Sequence, residues 1–542
     1  MEAPGVDERG ADRGAESGPM TRPGGHLHVL FPLVLRRQAC GAPVPTMMPG
    51  GTCRGPRVPD GSRVSPRRVP RRCGRAARRD GTELARSRRD GARDAPLTTV
   101  SGVDSAAGTG RRRQDEVYRA GVYGHRPRVP TAARALQRRA RERLGARAYS
   151  YVAGGAGDEE TQRANRAAFD RWAVVPRVLR DVSVRDTSVE LFGRRLPAPL
   201  LLGPVGALEL VHPAADLAVA RAAASLGVPM VFSNQASVSM EECAEVMDRA
   251  PHPAPRWSQL YWSTSDELVE SLVGRAEAAG CDALVVTLDT TMLGWRPRDL
   301  DLGHLPFALG KGIAQYTSDP VFRRLVEERA GAAPAPDRAG AAASRDRQPR
   351  PTLSAVRALV GMARAWPGPL LDNLRSPLPR AAVETFLSIY SRPSITWADL
   401  AWLRARTRLP IVLKGVLHPD DARRALDEGV DGLVVSTHGG RQVDRSVAAL
   451  DALPDVVAAV ADRAPVLLDS GVRSGADVLV AVALGARAVL LGRPFAWGLA
   501  LAGEEGVRQV VSDVLGEFDL TLGLSGHTSV DQLSPEVLRR VG

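Results

Sequence analysis

Eight short apolar runs recur between Ala198 and Pro494, and they constrain the fold more than any other feature of the chain. Amphipathic stretches separate them, such as 212–227 and 418–429, which begin with a proline and acidic residues and end at a glycine. Strands that alternate with helices in this way are joined in parallel. The runs are PLLLGPVG, VPMVFSN, RWSQLYW, ALVVTLD, PIVLKG, GLVVSTHGG, PVLLDSG and AVLLGRP.

Runs that are apolar throughout are typical of strands covered on both faces, so eight of them favour an α/β fold of the TIM (β/α)8 barrel type. An open doubly wound sheet is the alternative, but no GxGxxG follows an early strand, so a dinucleotide-binding fold has little support. We expect the barrel to occupy residues 114–542 and to begin with a helical segment. The connection between strands four and five is very long and predicts an insertion, a candidate lid, at about 297–390. Its low-complexity part at 330–351 predicts a mobile centre between ordered flanks.

The chain carries a formal net charge of +12, but the charge is distributed unevenly. Residues 1–113 contain 22 arginines against 11 acidic residues, whereas the remainder contains 51 basic residues against 50 acidic ones. The first 113 residues are rich in Gly, Pro, Arg and Ala without periodicity, which predicts a disordered tail. Initiation nearer residue 100 is an alternative to a functional tail. A basic RNA-binding arm lacks the interleaved aromatic residues that stacking on bases requires, so we expect no nucleic-acid partner.

The cysteines and the apolar segments indicate a protein of the reducing cytoplasm. Cys243 and Cys281 are the only two of the five cysteines that fall outside the tail, and no metal-ligand spacing is present. The apolar decamer 26–35 is too short to span a bilayer, and its arginine pair follows the apolar run instead of preceding it, unlike a secretion signal. We therefore expect neither a bound metal nor a membrane partner.

In a TIM barrel the carboxyl ends of the strands face the active site, so the polar residues that close the runs are the candidate site. Lys414 closes strand five and is one of only two lysines against 71 arginines, which favours a need for a compact ammonium, such as stabilising negative charge on a reduced cofactor ring. His438 after strand six has an unperturbed pKa suited to proton transfer near neutral pH. The strand-end groups are Gln259, Tyr261, Thr287, Asp289, Lys414, Ser436, His438, Arg441, Asp469, Arg473, Gly492 and Arg493.

A histidine near two arginines indicates a general base that acts on an anionic substrate. Arg441 lies three positions after His438, and Arg296 follows strand four, so two guanidinium groups can clamp a carboxylate. Asp289 is suited to orient the His438 ring. The segments DSGVRSG and LGRP after strands seven and eight place glycines and arginines at the usual phosphate site of this fold.

These motifs resemble the FMN-dependent 2-hydroxy acid oxidising enzymes, the family of glycolate oxidase and lactate oxidase. The resemblance extends from about Gln114 to Gly523 through YSYVAGGAGDEET, QLYW, VTLDT, LGWRPRDLD, LKGV, STHGGRQ, LDSGVRSG and LLGRP. Within the family, RANRAAFDRW, LGWRPRDLDLGHLPF, SDPVFRRL and GLALAGEEGV are most similar to the lactate 2-monooxygenases.

The resemblance implies FMN as cofactor and a role for each matched residue. His438 would abstract the hydroxyl or the alpha proton and pair with Asp289. Arg296, Arg441 and Tyr151 would hold the substrate carboxylate, and Tyr261 its hydroxyl or carbonyl side. Lys414 would face the pyrimidine edge of the flavin. The remaining cofactor contacts would come from the ring neighbours Val205, Gly206, Ser233, Gln259, Thr287 and Ser436, and from the ribityl and phosphate residues Asp469, Gly471, Arg473, Gly492 and Arg493.

The sequence departs from the family pattern at two places. Thr437 replaces an asparagine before the histidine, and FSNQAS places Asn234 and Gln235 near the flavin. The leading function is oxidation of a small L-2-hydroxy acid, L-lactate foremost, by oxygen with coupled decarboxylation to acetate, carbon dioxide and water. A peroxide-releasing oxidase, a dehydrogenase with another acceptor and, more distantly, a non-catalytic flavin- or RNA-binding protein are the alternatives. Resemblance further implies a homotetramer.

Overall fold

Eight parallel strands form a closed barrel in the computed structural model, which describes residues 108–251, 254–332 and 352–542. Each predicted apolar run contains one strand, so the predicted barrel is confirmed. The last strand pairs with the first, Leu490 opposite Leu201, and this pairing closes the sheet. The strands are β1 Leu200–Leu202, β2 Met230–Phe232, β3 Arg256–Leu260, β4 Ala283–Thr287, β5 Ile411–Val416, β6 Gly432–Val435, β7 Val466–Leu468 and β8 Ala488–Leu491.

The strands are apolar throughout because both of their faces are buried. Alternate residues such as Leu201, Val285 and Leu467 fill the barrel interior, while their neighbours pack under the surrounding helices. A hairpin of strands Val189–Leu191 and Arg194–Leu196 adds side chains to the interior cluster at the amino-terminal end of the barrel.

Helices cover the outside of the barrel, and four of these covering helices begin with a side-chain cap. Ser239 forms a capping box with Glu242, and the side chain of His418 accepts a hydrogen bond from the backbone of Asp420. The helix predicted within 212–227 ends at Gly227, whose φ of 65° suits glycine. The covering helices are Ala215–Leu226, Met240–Asp248, Asp266–Ala278, Ala398–Arg404, Pro419–Asp427, Ala449–Val460, Gly475–Ala483 and Arg493–Leu524.

Four helices precede the barrel, Thr109–Val122, Ala133–Arg143, Ala146–Ala153 and Glu160–Asp170. The first of them corrects the predicted boundary of the tail at residue 113. Gly110 is buried and donates its backbone N–H to Asp519, and Arg113 forms a 2.7 Å ion pair with Asp513. The arginine run at 111–113 therefore belongs to a helix that packs against the rest of the chain. The sequence pattern does not show this, because Asp513, the partner of Arg113, lies 400 positions away in the sequence. Residues 1–107 lie outside the described residues, so their predicted disorder stays a prediction.

The insertion at about 297–390 consists of helical segments wherever it is described. They are Pro297–Asp301, Pro306–Leu309, Ala314–Thr317, Pro320–Gly331, Leu353–Ala365, Leu370–Arg375 and Leu378–Ile389. The rings of Tyr316, Phe322 and Phe386 are buried and pack together. Of the predicted mobile centre at 330–351, Ala330 and Gly331 end the helix Pro320–Gly331, and residues 333–351 lie outside the described residues. Among the described helices, none is both long and apolar enough to cross a membrane.

Candidate active site

One cavity opens at the carboxyl ends of the strands, and most of the predicted site residues line it. Barrel closure brings them together because every parallel strand ends at the same rim. The predicted residues that line the cavity are Tyr151, Val205, Gly206, Ser233, Tyr261, Arg296, Lys414, His438, Arg441, Asp469, Gly471, Arg473, Gly492 and Arg493. Asp289, Gln259, Thr287 and Ser436 lie behind the lining residues instead.

His438 is held by Asp289 with one ring nitrogen directed away from that partner. His438 has a φ of 53° and begins the turn His438–Gly440. Two residues separate this turn from the end of β6. Its Nδ1 lies 2.9 Å from Asp289 Oδ1, and Thr290 Oγ1 donates to the same carboxylate oxygen at 2.8 Å. Nε2 has no hydrogen-bond partner among the described residues. The acceptor at Nδ1 favours the tautomer with a proton on Nδ1, which leaves Nε2 as a free base.

The pKa values of His438 and Asp289 are both shifted in directions that suit His438 as a base. Burial lowers the pKa of His438 below its usual value, and the Asp289 carboxylate only partly opposes this effect. Burial alone would raise the pKa of Asp289, but the charges of His438 and Lys414 and the hydrogen bond from His438 lower it to about 2. Asp289 is therefore ionised at neutral pH, and His438 is neutral.

Two arginines face the cavity without a carboxylate partner among the described residues. Arg296 donates to the backbone carbonyl of Arg441 at 3.1 Å and to Gln442 Oε1 at 2.6 Å. Burial, followed by the charge of Arg441, lowers the pKa of Arg296 to about 10. The Arg441 guanidinium lies 5.1 Å from the centre of the Tyr151 ring. Uncompensated positive charge in a buried site is costly, so this end of the cavity suits an anionic ligand.

Lys414 is buried and remains charged because of its partners. Its Nζ lies 3.0 Å from Asp469 Oδ2 and donates to Ser436 Oγ at 2.8 Å. Burial would lower the pKa of Lys414, but Asp469 and Asp289 raise it above its usual value. Ser436, predicted as a flavin contact, is fully buried behind the cavity and also accepts the backbone N–H of His438, so it supports two lining residues.

Gln259 and Thr287 form a buried layer beneath the cavity wall. Gln259 Nε2 donates to Thr287 Oγ1 at 3.0 Å, and Gln259 Oε1 accepts the backbone N–H of Asn234 at 3.1 Å. Neither side chain is among those that line the cavity. The predicted contacts of Gln259 and Thr287 with the flavin ring therefore stay a prediction.

A helix terminus and buried guanidinium groups form another part of the cavity wall that suits an anion. The helix Arg493–Leu524 begins here, and its first N–H groups have no partner within the helix. Burial lowers the pKa of Arg473 to about 10, and Arg166 adds to this effect. The Arg493 guanidinium is already committed to the carbonyls of Val152, Gly439 and Gly154 and to Gln162 Oε1. Its role as a phosphate ligand stays a prediction.

Several lining residues were not predicted from the sequence. Tyr390 comes from the insertion, directly after the helix Leu378–Ile389, and no strand-end pattern identifies it. Thr290 and Ser470 are adjacent to the predicted residues Asp289 and Asp469, and Leu293 lies between Asp289 and Arg296, so extending each run identifies them. Ser470 has a φ of 69° and accepts the backbone N–H groups of Thr437 and Gly439.

The departures from the family pattern occupy different positions relative to the cavity. Thr437 Oγ1 accepts from Gly440 N at 3.2 Å and from Asn165 Nδ2 at 2.8 Å, and it thereby stabilises the turn that carries His438. Gln235 lines the cavity. Asn234 is not among the lining residues, and its side chain hydrogen-bonds Tyr316 of the insertion.

Comparisons with known proteins agree with this geometry. Residues 140–540 match the family model of the FMN-dependent dehydrogenases. The chain is 42% identical to an FMN-dependent alpha-hydroxy acid dehydrogenase of Penicillium citrinum over 79% of its own length and 95% of that protein. It is 39% identical to an L-lactate oxidase of Lysinibacillus sphaericus (strain C3-41), over 73% of this chain and 90% of the relative. A crystal structure of mandelate oxidase with (S)-4-hydroxymandelic acid superposes with a TM-score of 0.60 at 37% identity, covering 76% of this chain and 98% of that one.

A flavin-dependent barrel enzyme is the class that this fold and this cavity define. The chain belongs to the family of FMN-dependent dehydrogenases, and it acts in the oxidation of 2-hydroxy acids. The residues that line the cavity fit FMN. They include the buried ammonium of Lys414 and, elsewhere in the wall, a helix terminus and the buried guanidinium of Arg473. A Cβ on Gly206 would meet Gln235 and the Tyr151 hydroxyl at 3.1–3.2 Å, so a side chain there would crowd the cavity wall.

Proposed function

We propose that this protein oxidises a small L-2-hydroxy acid, L-lactate foremost, with oxygen as second substrate. One observation carries the proposal, namely that His438, which Asp289 holds, lines the same cavity as Arg296 and Arg441, neither of which pairs with a carboxylate among the described residues. This arrangement suits a substrate that has an anionic end and, beside it, a proton to be removed.

Each side chain contributes a distinct part of the proposed mechanism. Arg296 and Arg441 hold the carboxylate, with Tyr151 beside them, while Tyr261 contacts the hydroxyl or carbonyl side. Burial raises the pKa of the Tyr261 hydroxyl, which therefore stays protonated and able to donate a hydrogen bond. His438 Nε2 accepts the hydroxyl or alpha proton, and Asp289 stabilises the cation that forms. Bound FMN supplies the acceptor for the two electrons that leave the substrate.

Lys414, Arg473 and the start of the helix Arg493–Leu524 are the residues proposed to hold the cofactor. The ammonium of Lys414 would stabilise negative charge on the reduced ring, since Lys414 is buried and charges interact more strongly away from water. Val205, Gly206, Ser233, Asp469, Gly471 and Gly492 complete the proposed contacts. Assembly as a homotetramer stays a prediction, which light scattering of the purified holoenzyme checks.

Coupled decarboxylation is the proposed outcome of the reaction with oxygen. In this outcome one L-lactate and one oxygen give acetate, carbon dioxide and water, because the keto acid stays bound until peroxide attacks it. The ordered helices of the insertion and the position of Tyr390 in the cavity wall support retention of the keto acid. A peroxide-releasing oxidase is the second candidate, favoured by the 39% sequence identity to an L-lactate oxidase.

Product analysis decides between these outcomes. We expect purified enzyme turning over L-lactate in air to yield acetate without free peroxide, as quantified by chromatography and a peroxidase assay in the same reaction. Pyruvate with an equal amount of peroxide would instead make the enzyme an oxidase. Bound FMN without turnover would exclude L-lactate and direct the search to other 2-hydroxy acids.

The pH dependence should report on His438. The base acts when it is neutral, and burial lowers its pKa, so kcat/KM should stay constant through neutral pH and fall only below about pH 6.5. Asp289→Asn should lower kcat/KM about 10²-fold. It should also move the acid limb to lower pH, because the charge that raises the pKa of His438 is lost. Asp301→Asn, outside the cavity, is the control. An acid limb that does not move in Asp289→Asn would contradict the assigned pair.

A further inference from the structure

The loop after β2, residues 233–236, packs against the insertion. Three hydrogen bonds join it to the short helix Ala314–Thr317. Ala314 N donates to the carbonyl of Ala236 at 3.1 Å, and Gln315 Nε2 donates to the carbonyl of Ser233 at 3.4 Å. Asn234 Nδ2 donates to the Tyr316 hydroxyl. The Asn234 and Tyr316 side chains are buried, so their bond is shielded from water and costly to lose.

Asn234 is simultaneously attached to the wall of the cavity. Its backbone N–H donates to Gln259 Oε1 at 3.1 Å, and its Oδ1 accepts the backbone N–H of Tyr261 at 3.4 Å. The amide group supplies a donor and an acceptor at once, so one side chain can connect the insertion to the end of β3. Alanine at this position would remove both connections.

An aromatic stack continues from Tyr316 to the cavity. The Tyr316 ring meets Phe386 edge to face at 4.8 Å between centres, and Phe386 stacks on Tyr390 at 5.1 Å with an interplanar angle of 16°. Phe386 also contacts Phe307 at 5.5 Å, and Phe307 contacts Tyr151 at 6.4 Å. Both ends of this stack, Tyr390 and Tyr151, line the cavity. Close packing of these rings transmits a displacement of Tyr316 to both of them.

The insertion has further attachments near this segment. Arg275 donates to the carbonyl of Gln315 at 2.6 Å and pairs with Asp319 at 3.0 Å, and the backbone N–H of Met240 donates to Gln315 Oε1 at 3.0 Å. Glu209 pairs with Lys311 at 2.8 Å and accepts the backbone N–H of Gly312 at 3.1 Å. These groups are partly exposed, and they fix the residues before the short helix instead of the ring of Tyr316. The hydroxyl of Tyr316 depends on Asn234 alone among the hydrogen bonds of the described residues.

We infer that Asn234 and Tyr316 are positioning residues that hold Tyr390 and Tyr151 at the cavity and thereby set how long a bound carboxylate is retained. The inference rests on the proposed function in one respect, that the cavity binds a carboxylate. It assigns Asn234, a departure from the family pattern, to retention of the ligand by the insertion. Asn234 has no direct contact with the ligand in this assignment.

Stopped-flow measurements on the holoenzyme test the inference with oxalate, a small dicarboxylate, as the probe. Tyr316→Phe removes the hydroxyl and keeps the ring, and Asn234→Ala removes the side-chain connections. Loss of one buried hydrogen bond should speed oxalate dissociation about fivefold in each variant, followed through flavin absorbance. The limiting rate of anaerobic flavin reduction by L-lactate should stay within about twofold of wild type, because the proposed base and its partner are untouched.

Tyr149→Phe is the matched control, since Tyr149 accepts a hydrogen bond from Gln137 outside the cavity. It should leave oxalate dissociation unchanged. Wild-type dissociation rates in Tyr316→Phe, with only the melting temperature lowered, would overturn the inference even if Asn234→Ala does not fold. A wild-type enzyme that L-lactate fails to reduce contradicts the proposed substrate, while the oxalate rates still decide the role of Asn234. Absence of oxalate binding to wild type would overturn both proposals.

Discussion

His438→Ala should retain FMN but reduce the rate of anaerobic flavin bleaching by L-lactate about 10³-fold, the loss expected for a general base. The ring nitrogen Nε2 is free for the substrate proton, because Nδ1 is bound to Asp289 at 2.9 Å. Alanine removes the base without touching Lys414 or the helix start of Arg493–Leu524, so the cofactor site is preserved. The single-turnover rate, measured by stopped flow at saturating substrate, isolates this step from the reaction with oxygen.

Two further variants distinguish the loss of the base from a change in the backbone of the turn. His438 has a φ of 53°, a conformation that asparagine adopts more readily than alanine. His438→Asn should therefore keep the turn and show the same loss of rate. His125→Ala, at an exposed position, should behave as wild type. A purified His438→Ala enzyme that bleaches as fast as wild type would remove His438 from the mechanism.

Arg296→Lys should lower kcat/KM for L-lactate about 10²-fold, chiefly through a higher KM, since lysine cannot reproduce two parallel hydrogen bonds to a carboxylate. Arg296 is buried and has no carboxylate partner among the described residues, so its positive charge is available to the substrate. Its hydrogen bonds to Arg441 and Gln442 hold the guanidinium in place. Steady-state kinetics over a wide range of L-lactate concentration measures the effect.

Arg298→Lys provides the matched control for this substitution. Arg298 lies two residues further along the same segment, but it pairs with Glu159 and does not line the cavity. Its replacement should change kcat/KM by less than about threefold. Equal losses in the two variants would show that the effect comes from the loop and not from carboxylate binding.

The sequence predicted the barrel and the strand-end residues at its rim, because the positions of both follow from periodicity. Eight apolar runs specify eight parallel strands, and parallel strands present their carboxyl ends at one rim. Asp289 and His438 are 149 positions apart, yet their association follows from the strand ends that carry them. The resemblance added the cofactor, which the family match supports.

Side-chain partners could not be predicted in the same way. Arg493 is predicted to bind phosphate, and only the structure shows that its guanidinium also donates to three backbone carbonyls and Gln162. Arg113 looked like part of a basic tail, and only the packed structure reveals its partner Asp513. Tyr390 reaches the cavity from an insertion whose length and composition gave no register relative to the barrel.

The sequence by itself determined the barrel, the rim residues and the family, since local hydrophobic pattern and strand direction are properties of short segments. Only the tertiary structure decided which of those residues face the cavity, which support them from behind and how Asn234 joins the insertion to the barrel. These outcomes depend on hydrogen bonds and ring contacts between residues distant in sequence. A buried polar group takes whichever partner the packed chain brings within reach, and no local pattern specifies that partner.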